Sequence, residues 1–222
     1  IGITRTCSKH NYLVTDVNDL ARAIHEAFLI ATSGRPGPVV IDIPKDVQFA
    51  TGTYIGKEGV RKPTYNPRTI PQPEAVSAVV DLIMTSRRPV FYTGGGVINS
   101  GPRASKLLRE LQAATGIPVT STLMGLGAFA ASHPDWLGMV GMHGSFEANN
   151  AMHDCDLMIC LGARFDDRVT GRIDAFSPNS KKVHIDIDPS SINKIVRVDV
   201  PVVGDCAATL QAILKELGAR KG

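Results

Sequence analysis

A short apolar run that ends in glycine and charged residues is the feature that most limits what this chain can fold into. Leu157–Leu161 has the length and the bounding glycine of a buried strand, and it leads directly into GARFDDR, residues 162–168. Ligands of open α/β sheets bind at the carboxyl ends of the strands, so the two aspartates and two arginines of this loop could orient a polar ligand. The same residues could also form a salt-bridged loop without a ligand. This segment alone leaves both interpretations open.

The same pattern of an apolar run followed by glycine or polar residues recurs along the chain after residue 72. Further strands are predicted at residues 89–92, 117–120, 183–187 and 197–203. Helices are predicted from Pro73, at residues 102–115 and 146–153, and in a last segment that ends at Gly218. This alternation predicts an α/β fold, a doubly wound, Rossmann-like parallel sheet of about six strands with helices on both faces.

Residues 1–50 predict a smaller unit that precedes this sheet. A strand at 9–14, a helix at 17–32 and a strand at 38–44 form one βαβ unit, which should be parallel and right-handed. Two strands are too few for a domain, and the chain does not begin with Met. We therefore expect this remnant to be the C-terminal end of another α/β domain in a longer polypeptide, with an exposed apolar edge. Residues 51–72, rich in proline and glycine, are expected to be a linker, and residues 73–222 to be the second domain.

Composition argues against several classes of function. The net charge of +3 is scattered along the chain and aromatic residues make up only 5%, which is weak support for a nucleic-acid partner. No apolar run approaches the ~18 residues that span a membrane, and nothing resembles a signal peptide, so no membrane partner and a cytoplasmic location are expected. The four cysteines form no CxxC pair, which favours buried free thiols over zinc ligands or disulfides.

The glycine triplet Gly94–Gly96 follows a predicted strand and could let a ligand approach the backbone. The helix predicted at residues 102–115 could point its N-terminus at a phosphate. A dinucleotide fingerprint of the form GxGxxG would need glycine at position 99, which is Asn99. A plain tight turn is therefore as good an explanation as NAD, and NAD is rejected as the leading ligand.

Two histidines lie beside polar residues of predicted loops and strand ends. His143, in GMHGS, could contact a ligand, act as a general base or be a loop histidine, and no carboxylate is adjacent to support base catalysis. His184 shares one strand face with Asp186 and Asp188, a spacing that could suggest a metal. Because no third ligand is near, ribose or loop hydrogen bonds are favoured there. No residue is therefore assigned to a metal.

Glycine-rich or polar loops follow nearly every predicted strand, which argues for a large bound nucleotide. Four of the segments also match a known family. These are SGRPGPVVIDIPKDVQ at residues 33–48, STLMGLGAF at 121–129, GMHGS at 141–145 and GARFDDRVTGR at 162–172. Together they resemble the large, catalytic subunits of acetolactate synthases, also called acetohydroxyacid synthases, which are thiamine diphosphate-dependent enzymes. The resemblance covers the whole chain.

This resemblance implies that the chain holds the end of the first and all of the central of three domains, and that the central domain binds FAD, which does no net redox work. Glycines would admit the pyrophosphate, Arg164 and Arg35 would offer charge-assisted donors, and Asp186 or Asp205 would accept from ribose or adenine. Asp167 and Arg168 would lie nearer the substrate channel. Carried over by motif, the FAD-lining residues are Arg35, Gly94, Gly95, Thr122, Leu123, Gly141, Met142, His143, Gly162, Ala163, Arg164, Phe165, Asp166, Asp186, Ile187, Gly204, Asp205 and Cys206.

By the same resemblance, the whole enzyme would decarboxylate pyruvate and join the two-carbon unit to a second pyruvate or to 2-oxobutyrate, in branched-chain amino acid biosynthesis. A homo-oligomer and a regulatory small subunit are implied as partners. The chain has no GDG followed by Asn-Asn about 25 to 30 residues later, the family signature that holds thiamine diphosphate through Mg²⁺. No residue here is therefore named catalytic, and the isolated chain is expected to be inactive. The alternatives are the central domain of glyoxylate carboligase or pyruvate oxidase, and a non-catalytic nucleotide-binding or assembly module.

Overall fold

A computed structural model of the chain describes residues 1–54 and 65–221. The chain divides into two compact units, Ile1–Pro67 and Arg68–Gly222. The division falls inside the predicted linker, residues 51–72, of which residues 55–64 lie outside the described residues, as does residue 222 of the predicted second domain. The predicted domain limits therefore stay predictions.

The first unit is a small βαβ arrangement. Strands β1 (His10–Leu13) and β2 (Val39–Asp42) pair in parallel, and helix α1 (Leu20–Thr32) connects them. A short helix, α2 (Lys45–Phe49), follows β2 and was not predicted. The buried apolar side chains described in this unit are Val14, Ala23, Ala27, Ile30 and Val47, and three of them, Val14, Ala23 and Val47, form a cluster with a few half-buried neighbours. Several large apolar side chains of this unit are exposed, among them Leu13, Phe28 and Phe49.

The second unit is built on a six-stranded parallel sheet in the order β5-β4-β3-β6-β7-β8. This sheet confirms the predicted fold class. Every residue of β6 is buried, because β6 lies in the middle of the sheet and is covered on both faces. The strands are β3 (Pro89–Thr93), β4 (Val119–Ser121), β5 (Trp136–Met139), β6 (Leu157–Leu161), β7 (Lys181–Asp186) and β8 (Val200–Val203).

Helices cover both faces of this sheet. Alternate residues of each strand point to opposite faces, so Phe91 and Ile159 join one core cluster while Tyr92 and Cys160 join the other. The first cluster packs against α3, α5 and α8, and the second against α6. The helices are α3 (Pro73–Thr85), α4 (Gly95–Asn99), α5 (Pro102–Thr115), α6 (Phe146–Asp154), α7 (Asp167–Thr170) and α8 (Cys206–Lys221). Short 3₁₀ helices occupy Thr4–Thr6, Val17–Asp19, Leu123–Gly125, Ile173–Ala175 and Pro189–Ser191.

Some local predictions were wrong. The last helix does not end at Gly218 but runs to Lys221, and in its final turns Arg220 pairs with Asp81 of α3 and with Glu216. Strand β5, with the sequence WLGM, is short and contains an internal glycine, and the bounds of a strand were not predicted there. Cys7 is exposed in the turn after a 3₁₀ helix, whereas Cys155, Cys160 and Cys206 are buried free thiols as expected. No helix within the described ranges is long and apolar enough to cross a membrane.

Asp156 ties the start of β6 to the loop before β3. Its carboxylate accepts hydrogen bonds from the backbone N–H groups of Arg87 (2.7 Å) and Arg88 (2.9 Å). Burial alone would raise the pKa of Asp156, but these donors outweigh burial and the pKa lies below its ordinary value. Because the pKa of Asp156 is lowered on folding, its hydrogen-bonded carboxylate stabilises the fold at pH values above the pKa of Asp156 in the unfolded chain. This stabilisation is lost as the pH falls through the pKa of Asp156 in the folded chain.

We therefore expect Asp156→Asn to lower the free energy of unfolding by about 1–2 kcal/mol at pH 7, and the difference from wild type to shrink near pH 3. Urea denaturation across this pH range measures the free energy of unfolding of the variant and the wild type. The exposed neighbour Asp154, changed to Asn, is the control and should stay close to wild type at every pH. A constant difference at all pH values would contradict the role of the charge.

Candidate functional site

The strand order places a topological switch point between β3 and β6. From β3 the chain moves outward through β4 to β5, and it then returns to β6 and moves outward on the other side through β7 to β8. In open parallel sheets the crevice where the order reverses, at the carboxyl ends of the two central strands, is where ligands bind. Here the loops that bound this crevice are Gly94–Gly96 after β3 and Gly162–Asp166 after β6.

These two loops touch through their backbones. Gly94 N–H donates to Leu161 O at 2.9 Å and Gly96 N–H donates to Gly162 O at 2.9 Å. A Cβ added to Gly94 would lie 2.6 Å from Ala163 Cα, and one added to Gly162 would lie 2.6 Å from Gly96 Cα. Gly162 also has a φ of +63°, which side-chain-bearing residues rarely adopt. The glycines are therefore required by the contact between the loops, whether or not a ligand also approaches them.

The helix that follows the glycine triplet differs from the one predicted. The short helix α4 begins at Gly95, and α5 begins only at Pro102, after Gly101. Gly95 and Gly96 of the triplet are therefore the first residues of α4, and the helix at residues 102–115 that was expected to face a phosphate does not follow the triplet directly.

The loops after β4 and β5 carry predicted residues of different character. Thr122 Oγ1 accepts from Gly125 N–H at 3.0 Å and caps a 3₁₀ turn, which leaves the Leu123 side chain 68% exposed. Gly141 is held by Asn149, whose side chain bonds both its N–H and its carbonyl at 3.0 Å. Met142 and His143 beside it are exposed. Asn149 was not singled out from the sequence, because an asparagine inside a helix gives no signal of a loop contact.

In the loop after β6, inward and outward side chains alternate. Ala163 and Phe165 are buried, so only their backbones could contact a ligand, whereas Arg164 is exposed and pairs with Asp166 at 3.0 Å. Asp166 also accepts from Arg168 N–H at 3.2 Å and caps α7; this hydrogen bond is the main reason that its pKa is lowered. One ion pair of the salt-bridged alternative, Arg164 with Asp166, is thus present. An exposed pair of this kind contributes little stability and leaves Arg164 accessible.

The loop after β5 and helix α7 are connected. Met142 N–H donates to the carbonyl of Arg168 at 2.8 Å, and Gly141 packs closely against the same peptide. Asp167 and Arg168, whose role the sequence left open, are both exposed on α7. The backbone of the Gly141–His143 loop therefore helps to fix the position of the Arg168 backbone.

The loops after β7 and β8 each carry one candidate carboxylate, and the two carboxylates differ in their hydrogen-bond partners. Asp186 is 7% exposed, and its Oδ1 accepts from Asp188 N–H at 2.8 Å, while its Oδ2 lies 3.7 Å from His184 Nε2, beyond hydrogen-bonding distance. Asp205 uses both oxygens, since Oδ1 accepts from Ala208 N–H at 3.1 Å and Oδ2 from Ser100 Oγ at 2.6 Å. Asp205 therefore caps α8, and Asp186 keeps one oxygen for a further partner.

The remaining predicted residues are placed as follows. Ile187 is half-buried directly after β7, and Gly204 is buried after β8. Cys206 is 4% exposed in the main core, and burial raises the pKa of its thiol, so its side chain does not face a ligand crevice. Arg35 belongs to the first unit, and its place beside the others stays a prediction. All predicted residues other than Arg35 lie at the carboxyl edge of one sheet.

The geometry gives no metal centre within residues 1–54 and 65–221, where no three His, Cys, Asp or Glu side chains meet in a way that could hold an ion. Asp188, considered for this role, accepts from Ser190 N–H at 3.0 Å and from Ser190 Oγ at 2.7 Å. These bonds are the loop hydrogen bonds that the sequence favoured.

A groove of about 610 Å³ lies at the other edge of the sheet. Its walls include the start of β3 at Pro89 and the residues before β4, Ile117 and Pro118, with Arg87 and Asp154 also among them. Since ligands of open α/β sheets bind at the carboxyl edge, the strand-end loops and not this groove form the candidate site.

Comparison with known proteins agrees with this geometry. A sequence model described as "Thiamine pyrophosphate enzyme, central domain" matches residues 76–213. The chain therefore belongs to the thiamine pyrophosphate enzyme family and contains the central domain of that family. The curated relatives described next are acetolactate synthases, which confirms the resemblance read from the sequence.

The acetolactate synthase large subunit of Corynebacterium glutamicum is 46% identical over 99% of this chain and 35% of that protein. Acetolactate synthase isozyme 3 large subunit of Escherichia coli is 42% identical over 98% of this chain and 38% of that protein. The chloroplastic acetolactate synthase 1 of Zea mays is 47% identical over 96% of this chain and 33% of that protein. The chain thus spans about a third of the length of these relatives.

The contact between the two glycine loops can be tested by replacing each of two neighbouring glycines with alanine. Gly94→Ala should lower the free energy of unfolding by about 3 kcal/mol, because the new methyl group meets the backbone of residues 162–163, which cannot move away. Gly95→Ala is the matched control: its Cβ would meet mainly Met124 Cβ, at 3.2 Å, on an exposed side chain. Thermal and urea denaturation measure the stability of both variants. Equal losses in the two variants would contradict the proposed close packing.

Proposed function

We propose that this chain is part of an acetolactate synthase and that its second unit binds FAD. The observation that carries the proposal is the 42–48% identity to acetolactate synthases over nearly the whole chain. The switch point between β3 and β6, bounded by glycine loops, supports it by supplying a crevice of the kind that binds dinucleotides.

The residues at the carboxyl edge fit FAD. Backbone at Gly94–Gly96 and Gly162 carries no side chain to keep a pyrophosphate away, and the exposed guanidinium of Arg164 can donate charge-assisted hydrogen bonds to it. Asp186 has one carboxylate oxygen to accept from a ribose or adenine group. Asp205 is a weaker candidate for that role, because its oxygens are both used in capping α8.

Apolar contacts for the ring systems are also present. Leu123, Met124 and Met142 are 68%, 74% and 60% exposed in the loops after β4 and β5. Exposed methionine and leucine side chains are suited to cover a flat aromatic ligand, since thioethers make favourable contacts with ring edges. In this proposal the FAD does no net redox work, and the loops of this chain bind and orient it.

The whole enzyme would condense two molecules of pyruvate, or pyruvate and 2-oxobutyrate, with loss of CO₂. Thiamine diphosphate would supply the carbanion equivalent, and it would be held with Mg²⁺ by residues that are not part of this sequence. Arg168 would present a cation to the 2-oxoacid carboxylate, and its backbone bond to Met142 would keep α7 in place. A homo-oligomer and a regulatory small subunit are the proposed protein partners.

FAD binding is tested first by thermal denaturation. If FAD at about 100 times its Kd binds only the folded chain, it should stabilise that chain by about 2.7 kcal/mol and raise its Tm. ADP and coenzyme A are the comparison ligands. A chain whose Tm is unmoved by FAD, while the complete gene product binds it, would show that flanking sequence is needed. A complete gene product unmoved by all three ligands would support an assembly module instead.

The reaction is tested by product analysis of the complete gene product with pyruvate, thiamine diphosphate, Mg²⁺ and FAD. We expect acetolactate; tartronate semialdehyde from glyoxylate, or acetyl phosphate, would assign the chain to another enzyme of the family. Arg168→Ala should lower kcat/KM for pyruvate by roughly 10–100-fold, since about 1.5–3 kcal/mol is typical of a hydrogen bond to a charged group. Arg172→Ala is the control, because Arg172 is exposed and pairs with Asp174.

A further inference from the structure

A row of polar side chains lies beneath the loop after β6. Tyr92 of β3 is in register with Cys160 of β6, which is in register with His184 of β7, so the three residues share one face of the sheet across adjacent strands. All three are completely buried. Polar groups buried this deeply are costly unless they form hydrogen bonds. Among the described residues the Tyr92 hydroxyl and His184 Nδ1 have no hydrogen-bond partner, so the bonds of this row are those of Cys160 and His184 Nε2.

Two members of the row bond the same atom of the loop. His184 Nε2 lies 2.7 Å from the carbonyl oxygen of Ala163, and the Cys160 thiol donates to that oxygen at 3.3 Å. Because a carbonyl only accepts, the proton of the His184 ring is on Nε2. Burial raises the pKa of Cys160 well above its ordinary value, so this thiol remains a donor.

His184 also holds the loop through its ring. Phe165, two residues after Ala163, packs edge-on against the His184 ring with the centroids 5.0 Å apart. The adjacent residue, Ile185, accepts a hydrogen bond from Gly162 N–H at 2.8 Å. Two successive residues of β7 thus fix the loop at residues 162, 163 and 165. Arg164 lies between the two inward anchors and is directed outward.

We propose that His184 is a positioning residue for the FAD site: it sets the backbone path of residues 162–166 and so the place of the Arg164 guanidinium. This inference rests on the proposed function. In this role His184 does more than fill the core, because its ring donates to the carbonyl of Ala163, the residue between Gly162 and Arg164. Nothing in this role requires His184 to touch FAD.

The test compares three variants in the complete gene product. His184→Leu removes the donor, and His184→Gln returns an N–H close to the former position of Nε2. Val183→Ala is the matched control, since it removes buried volume at the preceding residue on the opposite face and leaves both the Ala163 and the Gly162 anchors intact. FAD dissociation constants, Tm and the visible absorption and circular dichroism of bound FAD are measured for each.

We expect His184→Leu to raise the FAD dissociation constant by about tenfold, the effect of one lost hydrogen bond, and to change the spectrum of bound FAD. His184→Gln should recover most of the affinity. Val183→Ala should lower Tm while affinity and spectrum stay near wild type. If His184→Leu does not fold, His184→Asn, whose shorter amide cannot reach Ala163, replaces it with the same expectation.

The outcomes separate the inference from the proposed function. Wild-type protein that binds no FAD would overturn both. Wild-type protein that binds FAD, with affinity and spectrum unchanged in the His184 variants, would overturn the positioning role alone. Equal losses of affinity in His184→Leu and Val183→Ala would also overturn it, because the effect would then follow from lost core stability.

Discussion

The contact between the Gly94–Gly96 and Gly162 backbones is the constraint on which the rest of the second unit depends. These loops end the two central strands, and they can bond to each other only because neither carries a side chain between them. The contact continues the pairing of β3 and β6 beyond their carboxyl ends, and these are the strands from which the chain proceeds in opposite directions. A crevice with a backbone floor therefore lies at the switch point.

Around this floor the loops support one another. Asn149 fixes the loop after β5, Met142 joins it to α7, and His184 joins the loop after β6 to β7. The bonds run mainly between side chains or N–H groups of one loop and carbonyls of another. Such bonds satisfy buried backbone groups and also restrict the loops to one arrangement. The exposed side chains at this edge, such as Arg164 and Leu123, are thereby presented from a rigid base.

Much of the fold could be predicted from local sequence. Fully apolar runs such as Leu157–Leu161 indicate central parallel strands because both faces must be buried, and helices with a clear apolar face, such as Pro102–Thr115, were located closely. Strand β5, with its half-buried residues and an internal glycine, lacks such a signal. The continuation of α8 past Gly218 also lacked a local signal, because its last turn is bonded to α3, far away in sequence.

By itself, the sequence determined the fold class, the family and the set of loops that meet at one edge of the sheet, because alternation, glycine position and motif are local properties. Only the tertiary structure decided what each residue does there. Asp205 caps a helix, Cys206 and Phe165 point inward, and Asp186 keeps a free oxygen. These differences depend on partners distant in sequence, such as Ser100 for Asp205 and His184 for Phe165, which no local pattern specifies.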